Sequence, residues 1–220
     1  MIEEARTAIR EALAPGAAAC LTCSFQAEDM VVAHLLLQER PDVPVLFLDT
    51  GYHFREIYAY RDRMATAWKL NLVNLQPRRS VAEQEAELGV LYRSAPDRCC
   101  GLRKVEPLFG ELESYDVWFT GLRREQSPSR AGLELSAAFR LPTGKSLRKV
   151  SPLAFWTNRQ IWTYCQDNGI EVLELYRQGY TSIGCEPCTA LPASADDLRS
   201  GRWGGHKLEC GIHIGAAAEQ

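Results

Sequence analysis

The sequence has no apolar run near the ~18 residues that a membrane-spanning helix needs, which excludes an integral helical membrane protein. Nor does it have an excess of charge of one sign: 25 Lys and Arg stand against 28 Asp and Glu, a net charge of -3. That balance excludes a disordered polyelectrolyte and argues against a generic nucleic-acid binder. Internal repeats and low-complexity segments are missing too. The opening Met1-Ile2-Glu3-Glu4-Ala5-Arg6 is acidic and helical in pattern, unlike a signal peptide. The expectation is a soluble cytoplasmic protein with neither a membrane nor a nucleic acid as partner. Its 220 residues, 46% of them hydrophobic, suffice for one domain with an ordinary core. Cysteine, by contrast, is plentiful. Eight residues are too few for a small disulfide scaffold, and in a reducing compartment clustered thiols point to metal or redox chemistry.

Strand and helix signals alternate along the chain. Residues 2–13 read as an amphipathic helix closed by Pro15-Gly16, 17–25 as a buried strand and 30–38 as an apolar helix. The strongest strand signal is 43–48, which runs into Asp49-Thr50-Gly51. A helix near 57–68, a strand at 70–75 and short strands at 117–120 and 147–150 follow. Thr157-Asn158-Arg159-Gln160 has capping-box spacing and opens a helix to about Gln166. From Gly179 onward Gly, Pro and Cys are dense, which predicts loops and a flexible tail. The pattern predicts an α/β fold: a mostly parallel sheet with helices on both faces over 1–192, then a tail over 193–220. Ligands of such sheets bind beyond the carboxyl ends of the strands. The polar segments 24–29, 49–51 and 121–130 fall there.

Two cysteine blocks stand out, the adjacent pair Cys99-Cys100 and the Cys185-Glu186-Pro187-Cys188 turn. Zinc sites of four cysteines usually pair two C-x(2–4)-C loops, whereas vicinal thiolates chelate one ion awkwardly. Four thiolates are the normal ligand set of an iron–sulfur cluster, whose separated irons can take neighbouring cysteines. Spacing thus favours a cluster, with a structural zinc and plain buried thiols as alternatives. Cys20 and Cys23 share C-x-x-C spacing but lie on a predicted strand, where i and i+3 face opposite sides. They read as core, as does Cys165 beside Trp162 and Tyr164. Cys210 sits near the C-terminus between Lys207 and His213, whose charge favours a thiolate.

Six segments together resemble the assimilatory adenylylsulfate (APS) reductases, relatives of the phosphoadenylylsulfate (PAPS) reductases. They are Ser24-Phe25-Gln26-Ala27-Glu28-Asp29, Leu48-Asp49-Thr50-Gly51, Cys99-Cys100-x-x-Arg103-Lys104-x-x-Pro107-Leu108, Gly121-Leu122-Arg123-Arg124-x-Gln126-Ser127, Cys185-x-x-Cys188 and Glu209-Cys210-Gly211-Ile212-His213. The resemblance implies an adenine-nucleotide-binding domain of the ATP-pyrophosphatase type. It implies one 4Fe–4S cluster on Cys99, Cys100, Cys185 and Cys188, and Cys210 as nucleophile. It also implies substrate contacts from the 24–29 loop (Ser24, Phe25 and Gln26), Thr50, Gly51, Lys104, Arg130, Arg199, Arg202 and His213. Gln26 replaces the family's usual Gly, Gly204-Gly205 a more aromatic stretch, and Ile212 a Leu.

The implied reaction takes APS and two thiol electrons to sulfite and AMP. A thiolate must approach sulfur against the charge of a doubly anionic substrate, so fixed cations are required, and Lys104, Arg130, Arg199 and Arg202 supply them. Cys210 would attack the APS sulfur, release AMP and become S-sulfocysteine. No cysteine adjoins Cys210 to resolve it, so an external dithiol such as thioredoxin is implied. Trp118, Trp156 and Trp162 read as core rather than nucleotide-stacking residues. A PAPS-preferring reductase is the nearest alternative. A tRNA-thiolating ligase lacks its Ser-Gly-Gly-x-Asp-Ser loop here, and an iron–sulfur or zinc redox sensor is more remote. A homo-oligomer is compatible with all of these.

Overall fold

The computed structural model describes residues 1–194, 197–205, 207 and 209–213. Its frame is a six-stranded sheet in the order β3-β2-β1-β4-β6-β5. The strands are β1 (Ala19–Thr22), β2 (Pro44–Leu48), β3 (Asn71–Leu75), β4 (Val117–Phe119), β5 (Ser136–Arg140) and β6 (Ser146–Val150). All neighbours run parallel except β5, which pairs antiparallel with β6 as an edge strand. The expected parallel sheet is there, and β5 is an addition that the sequence pattern did not announce. Its Ser-Ala-Ala-Phe-Arg carries a single large apolar side chain, too little for a strand signal.

Period-two alternation sorts the strand side chains into two cores. Leu21, Val45, Phe47, Val117 and Phe119 join the larger one, while Cys20, Leu46 and Trp118 join the smaller. Cys20 and Cys23 accordingly fall in different cores, as core residues on opposite sides. The larger core lies beneath α1 (Ile2–Ala12), α2 (Ala27–Glu39), α3 (Arg55–Ala67) and α8 (Asn158–Asp167). The smaller lies beneath α7 (Glu106–Leu112). Helix α2 is apolar nearly all round because it is wedged between sheet and helices, with Met30, Val31, Val32, Leu35 and Leu36 fully buried. It stops at Glu39 because Arg40 precedes Pro41 and is driven extended, at φ -143°.

Between β3 and β4 the chain forms α4 (Val81–Leu88), opened by a Ser80/Glu83 capping box, then α5 (Leu91–Ser94) and α6 (Pro96–Cys100). One π-helical turn, Gly101–Val105, joins α6 to α7. Such turns often mark functional positions. This one carries Arg103 and Lys104 directly after the Cys99-Cys100 pair. The capping box expected at Thr157/Gln160 forms. Among the described residues no helix is long and apolar enough to cross a membrane.

The strand order reverses between β1 and β4, and the carboxyl ends of parallel strands at such a switch point form a crevice. A cavity opens there, lined by residues that follow β1, β2 and β4.

Candidate active site

Residue Phe25 makes the turn from β1 into α2 with φ +61°, an uncommon conformation for a bulky side chain. Core packing holds it: the ring is fully buried, edge-on to Phe47 at 5.7 Å and to Tyr60 at 6.2 Å. Its side chain therefore faces the core and not the cavity, contrary to the substrate contact expected of it. Ser24 and Gln26, on either side, do line the cavity. Asp29 ties this loop down, accepting from the Ser24 main-chain N at 2.7 Å and its hydroxyl at 2.6 Å, and from Gly121 N at 3.2 Å. Burial pushes the Asp29 carboxyl up to about 6 despite these hydrogen bonds. A Cβ at Gly121 would stand 2.3 Å from Asp29 Oδ1, so glycine is what lets the β4 end meet this loop. The neighbouring Glu28 is paired with the buried Arg123 at 2.7 Å.

Cations converge on the same cavity. Lys104, Arg130, Arg199 and Arg202 all line the cavity, and so do Cys210 and His213. The structure thus assembles eight of the expected site residues, drawn from across the sequence, around one space. Burial, then the charge of Arg130, lowers Arg199 to about 10. Two buried nitrogens of residues that line this cavity, Arg202 Nε and His213 Nδ1, have no hydrogen-bond partner among the described residues. Unpartnered buried polar atoms in a native structure call for an explanation, and an unbound ligand is one.

The C-terminal segment is held in place by ordinary contacts. Glu209 forms a two-pronged pair with Arg130, lies 3.7 Å from Arg199 and accepts from Ser129 Oγ at 3.1 Å. Ile212 packs on the smaller core, and the His213 ring stacks on Trp118. Within the tail expected to be flexible, 193–220, the described residues 209–213 are therefore held against the cavity. Burial, together with Lys149, Arg130 and Arg199, keeps the His213 imidazole well below its usual range. It is neutral here and adds no fixed charge beside Cys210, contrary to expectation. Lys207 pairs with Asp97 and lies 5.7 Å from the Trp203 ring centroid.

Thr50 and Gly51 do not reach this cavity. A second, smaller cavity is lined by Cys99, Cys100, Cys185 and Cys188 with Lys104 and Trp203. The buried Thr50 hydroxyl lies 3.3 Å from Cys185 Sγ, and the Thr50 carbonyl accepts from Arg103 Nε. Lys104 and Trp203 line both cavities, so one ammonium stands between the four thiols and the main site. All eight cysteines are free thiols. Burial pushes Cys99 up to about 11 and raises Cys100 and Cys188 as well. Among the described residues no three His, Cys, Asp or Glu side chains form a group that would hold a metal ion as they stand. The four cysteines line one space, and four thiolates are the normal ligand set of an iron–sulfur cluster.

Several residues of consequence lie outside the expected set: Asp29, Arg123 and Glu209 within the quoted segments, and Lys149 and Trp118 in the sheet. Trp118 and Trp156 are core as expected, and Trp162 packs partly buried against the larger core.

The model of the phosphoadenosine phosphosulfate reductase domain matches residues 18–191. The chain belongs to that family. It is 45% identical over 198 residues to the adenosine 5'-phosphosulfate reductase of Mycobacterium tuberculosis, covering 87% of this chain and 77% of that one. The enzyme of the same name from Streptomyces coelicolor is 44% identical over 196 residues, covering 88% and 81%. Among solved structures, the phosphoadenylyl-sulfate reductase of Candida auris, a phosphate complex, superposes with a TM-score of 0.73 at 25% identity, covering 84% and 90%. The FMN adenylyltransferase of Candida glabrata, at 14% identity and a TM-score of 0.67 over 87% and 65%, shares the nucleotide-binding fold.

Proposed function

We propose that this family member reduces adenosine 5'-phosphosulfate to sulfite and AMP, as a step of sulfate assimilation, with Cys210 as nucleophile. The observation that carries the reading is that Cys210 lines the same cavity as Lys104, Arg199, Arg202 and the 24–29 loop. A thiolate attacking the sulfonyl sulfur forms an S–S bond as the S–O bond to the phosphate breaks. AMP leaves with the electron pair, and Cys210 becomes S-sulfocysteine. Lys104, Arg199 and Arg202 screen the approach and stabilise charge on the sulfonyl oxygens and the departing phosphate; removing one such donor typically costs ~10²–10³-fold in turnover. The neutral His213 offers Nδ1 as a hydrogen-bonding atom.

An external dithiol, of thioredoxin type, then attacks the Cys210 sulfur, expels sulfite and closes its own disulfide through a mixed disulfide. Residues 193–220 act in this reading as the segment that presents the nucleophile in turn to nucleotide and to dithiol. Cys99, Cys100, Cys185 and Cys188 would hold a 4Fe–4S cluster, which adds a fixed charge beside Lys104 when bound. The location proposed is the cytoplasm.

The test is single turnover without reductant, with APS and PAPS compared side by side. APS should release AMP in one equivalent and add a sulfo group to Cys210, and Cys210→Ser should bind nucleotide without the burst. Absence of a sulfo adduct on Cys210 in iron-replete protein sinks the proposal.

A further inference from the structure

Lys149 occupies a position where a lysine is unexpected. It lies on β6, two residues beyond Leu147, so strand alternation points it to the same side as that buried leucine. Its register partner on β4 is Trp118, and its Nζ lies 4.8 Å from the Trp118 ring centroid and 5.1 Å from that of Phe139. A partly buried ammonium over two aromatic faces gains cation–π attraction but still needs hydrogen-bond acceptors. The acceptor it finds is the main-chain carbonyl of His213, at 3.3 Å. The His213 ring lies on the same Trp118, 5.5 Å between centroids and 19° from parallel. One indole is thus shared by a strand cation and by the segment that carries Cys210.

We propose that Lys149 is a positioning residue for Cys210: its ammonium clamps the His213 carbonyl and so fixes the main chain three residues beyond the nucleophile over the cavity. Without this clamp the segment keeps the Glu209 contacts at one end, and only Ile212 packing and ring stacking at the other. The reach of Cys210 into the cavity is then less restricted, and orientation lost at a reacting atom slows the chemical step. The charged and titratable groups facing Lys149 are Arg130 from the loop after β4, and Glu209, Cys210 and His213 from the C-terminal segment. Burial and Arg130 lower its pKa to about 8. The ammonium is therefore held at a cost, which a lysine placed only for packing would not explain.

The positional half of this proposal stands without the assigned chemistry, whereas its effect on rate rests on Cys210 being the nucleophile. Hydrogen exchange on the intact, iron-replete chain separates the two. Lys149→Met keeps the volume between Trp118 and Phe139 and removes the donor. Its 209–213 amides should exchange roughly tenfold to a hundredfold faster, the size expected of one lost charge-assisted hydrogen bond. Lys149→Arg should restore protection, while β4 and β6 amides stay as in the parent. Unchanged exchange at 209–213, or equal loosening of β4 and β6, overturns the clamp. In single turnover, Lys149→Met should slow sulfo transfer to Cys210 and leave AMP affinity within about twofold. Altered exchange with no sulfo transfer in the parent protein would leave the clamp standing and remove the proposed reaction.

Discussion

Arg130 and Glu209 meet fork to fork across 79 residues of sequence, Nε to Oε1 at 2.9 Å and Nη2 to Oε2 at 2.7 Å. Two parallel charge-assisted hydrogen bonds fix orientation as well as distance. The pair anchors the segment bearing Cys210 and also neutralises a cation that an anionic substrate would meet. Glu209→Gln should therefore act in two directions. Phosphate or AMP should bind more tightly, by roughly threefold to tenfold for one unmasked surface-proximal charge, while sulfo transfer to Cys210 slows. Calorimetric titration with AMP reads the first effect and quenched single turnover the second. Weaker AMP binding in the variant would show that Glu209 does not mask the cations.

The same pair sets a pH dependence. Burial pushes the Glu209 carboxyl up, but the hydrogen bonds and charge of Arg130, with Arg199 and Ser129, outweigh it and hold it below the usual range. A carboxylate depressed in the folded state contributes stability that is present above its unfolded pKa and lost as pH falls through the folded one. Docking of the segment should thus persist at pH 5 and fail only in more acid solution. Hydrogen exchange of 209–213 as a function of pH measures it. Loss of protection near neutrality would exclude Glu209 as the anchor.

A third expectation concerns Arg202 without touching it. Gly184 abuts its guanidinium so closely that a Cβ there would lie 2.1 Å from Nη2 and 2.6 Å from Cζ. Gly184→Ala must displace the guanidinium from its place in the wall. We expect turnover to fall by ~10²-fold, as for loss of a charge-stabilising donor, while net charge is unchanged. An alanine variant with parental turnover would mean that the position of Arg202 is not critical.

Strand periodicity, the Thr157 cap and the ordered short segments made the parallel sheet and most of the cavity legible before any coordinates. Ser24, Gln26, Lys104, Arg130, Arg199, Arg202, Cys210 and His213 do share one space. What stayed hidden is tertiary in origin. Phe25 sits between two cavity residues in sequence, yet its left-handed backbone turns its ring into the core. Thr50 and Gly51 follow a strand that reaches the site, but the Thr50 hydroxyl turns to Cys185 and Gly51 abuts Arg103. The neutrality of His213 depends on burial and on Lys149, Arg130 and Arg199 around it, which no local pattern encodes. Lys149 left one trace, a charged residue in phase with the apolar Leu147, and that phase was the readable sign.

The buried pair under the 24–29 loop yields a stability prediction. Arg123 is 2% exposed and Glu28 16%, and Arg123 also donates to the Trp156 carbonyl at 3.2 Å. Removing one partner of a buried pair typically costs 3–5 kcal/mol, because the other charge is stranded. Glu28 retains some solvent, so Arg123→Met should lower unfolding stability by about 3 kcal/mol, and Arg123→Met with Glu28→Gln should recover part of the loss. Urea unfolding at equal slope checks both. A single variant as stable as the parent would show that the pair contributes little.

The thiol cavity gives the last prediction. Four cysteines from two distant blocks line one space, with the buried Arg103 and the partly buried Lys104 beside them. Four thiolates bring four negative charges, and such a set is the normal ligand set of an iron–sulfur cluster. Protein purified without oxygen should therefore carry iron and acid-labile sulfide, with little zinc. Cys188→Ser removes one ligand and should lose most of both while β1 and β4 keep their hydrogen-exchange protection, since Cys188 lies on the outer Cys185–Cys188 turn and not in either core. Because burial holds Cys99, Cys100 and Cys188 protonated in the absence of metal, cluster assembly must release protons and should proceed further at pH 8 than at pH 6. One equivalent of zinc without sulfide, bound equally well by the serine variant, would assign these thiols a different role.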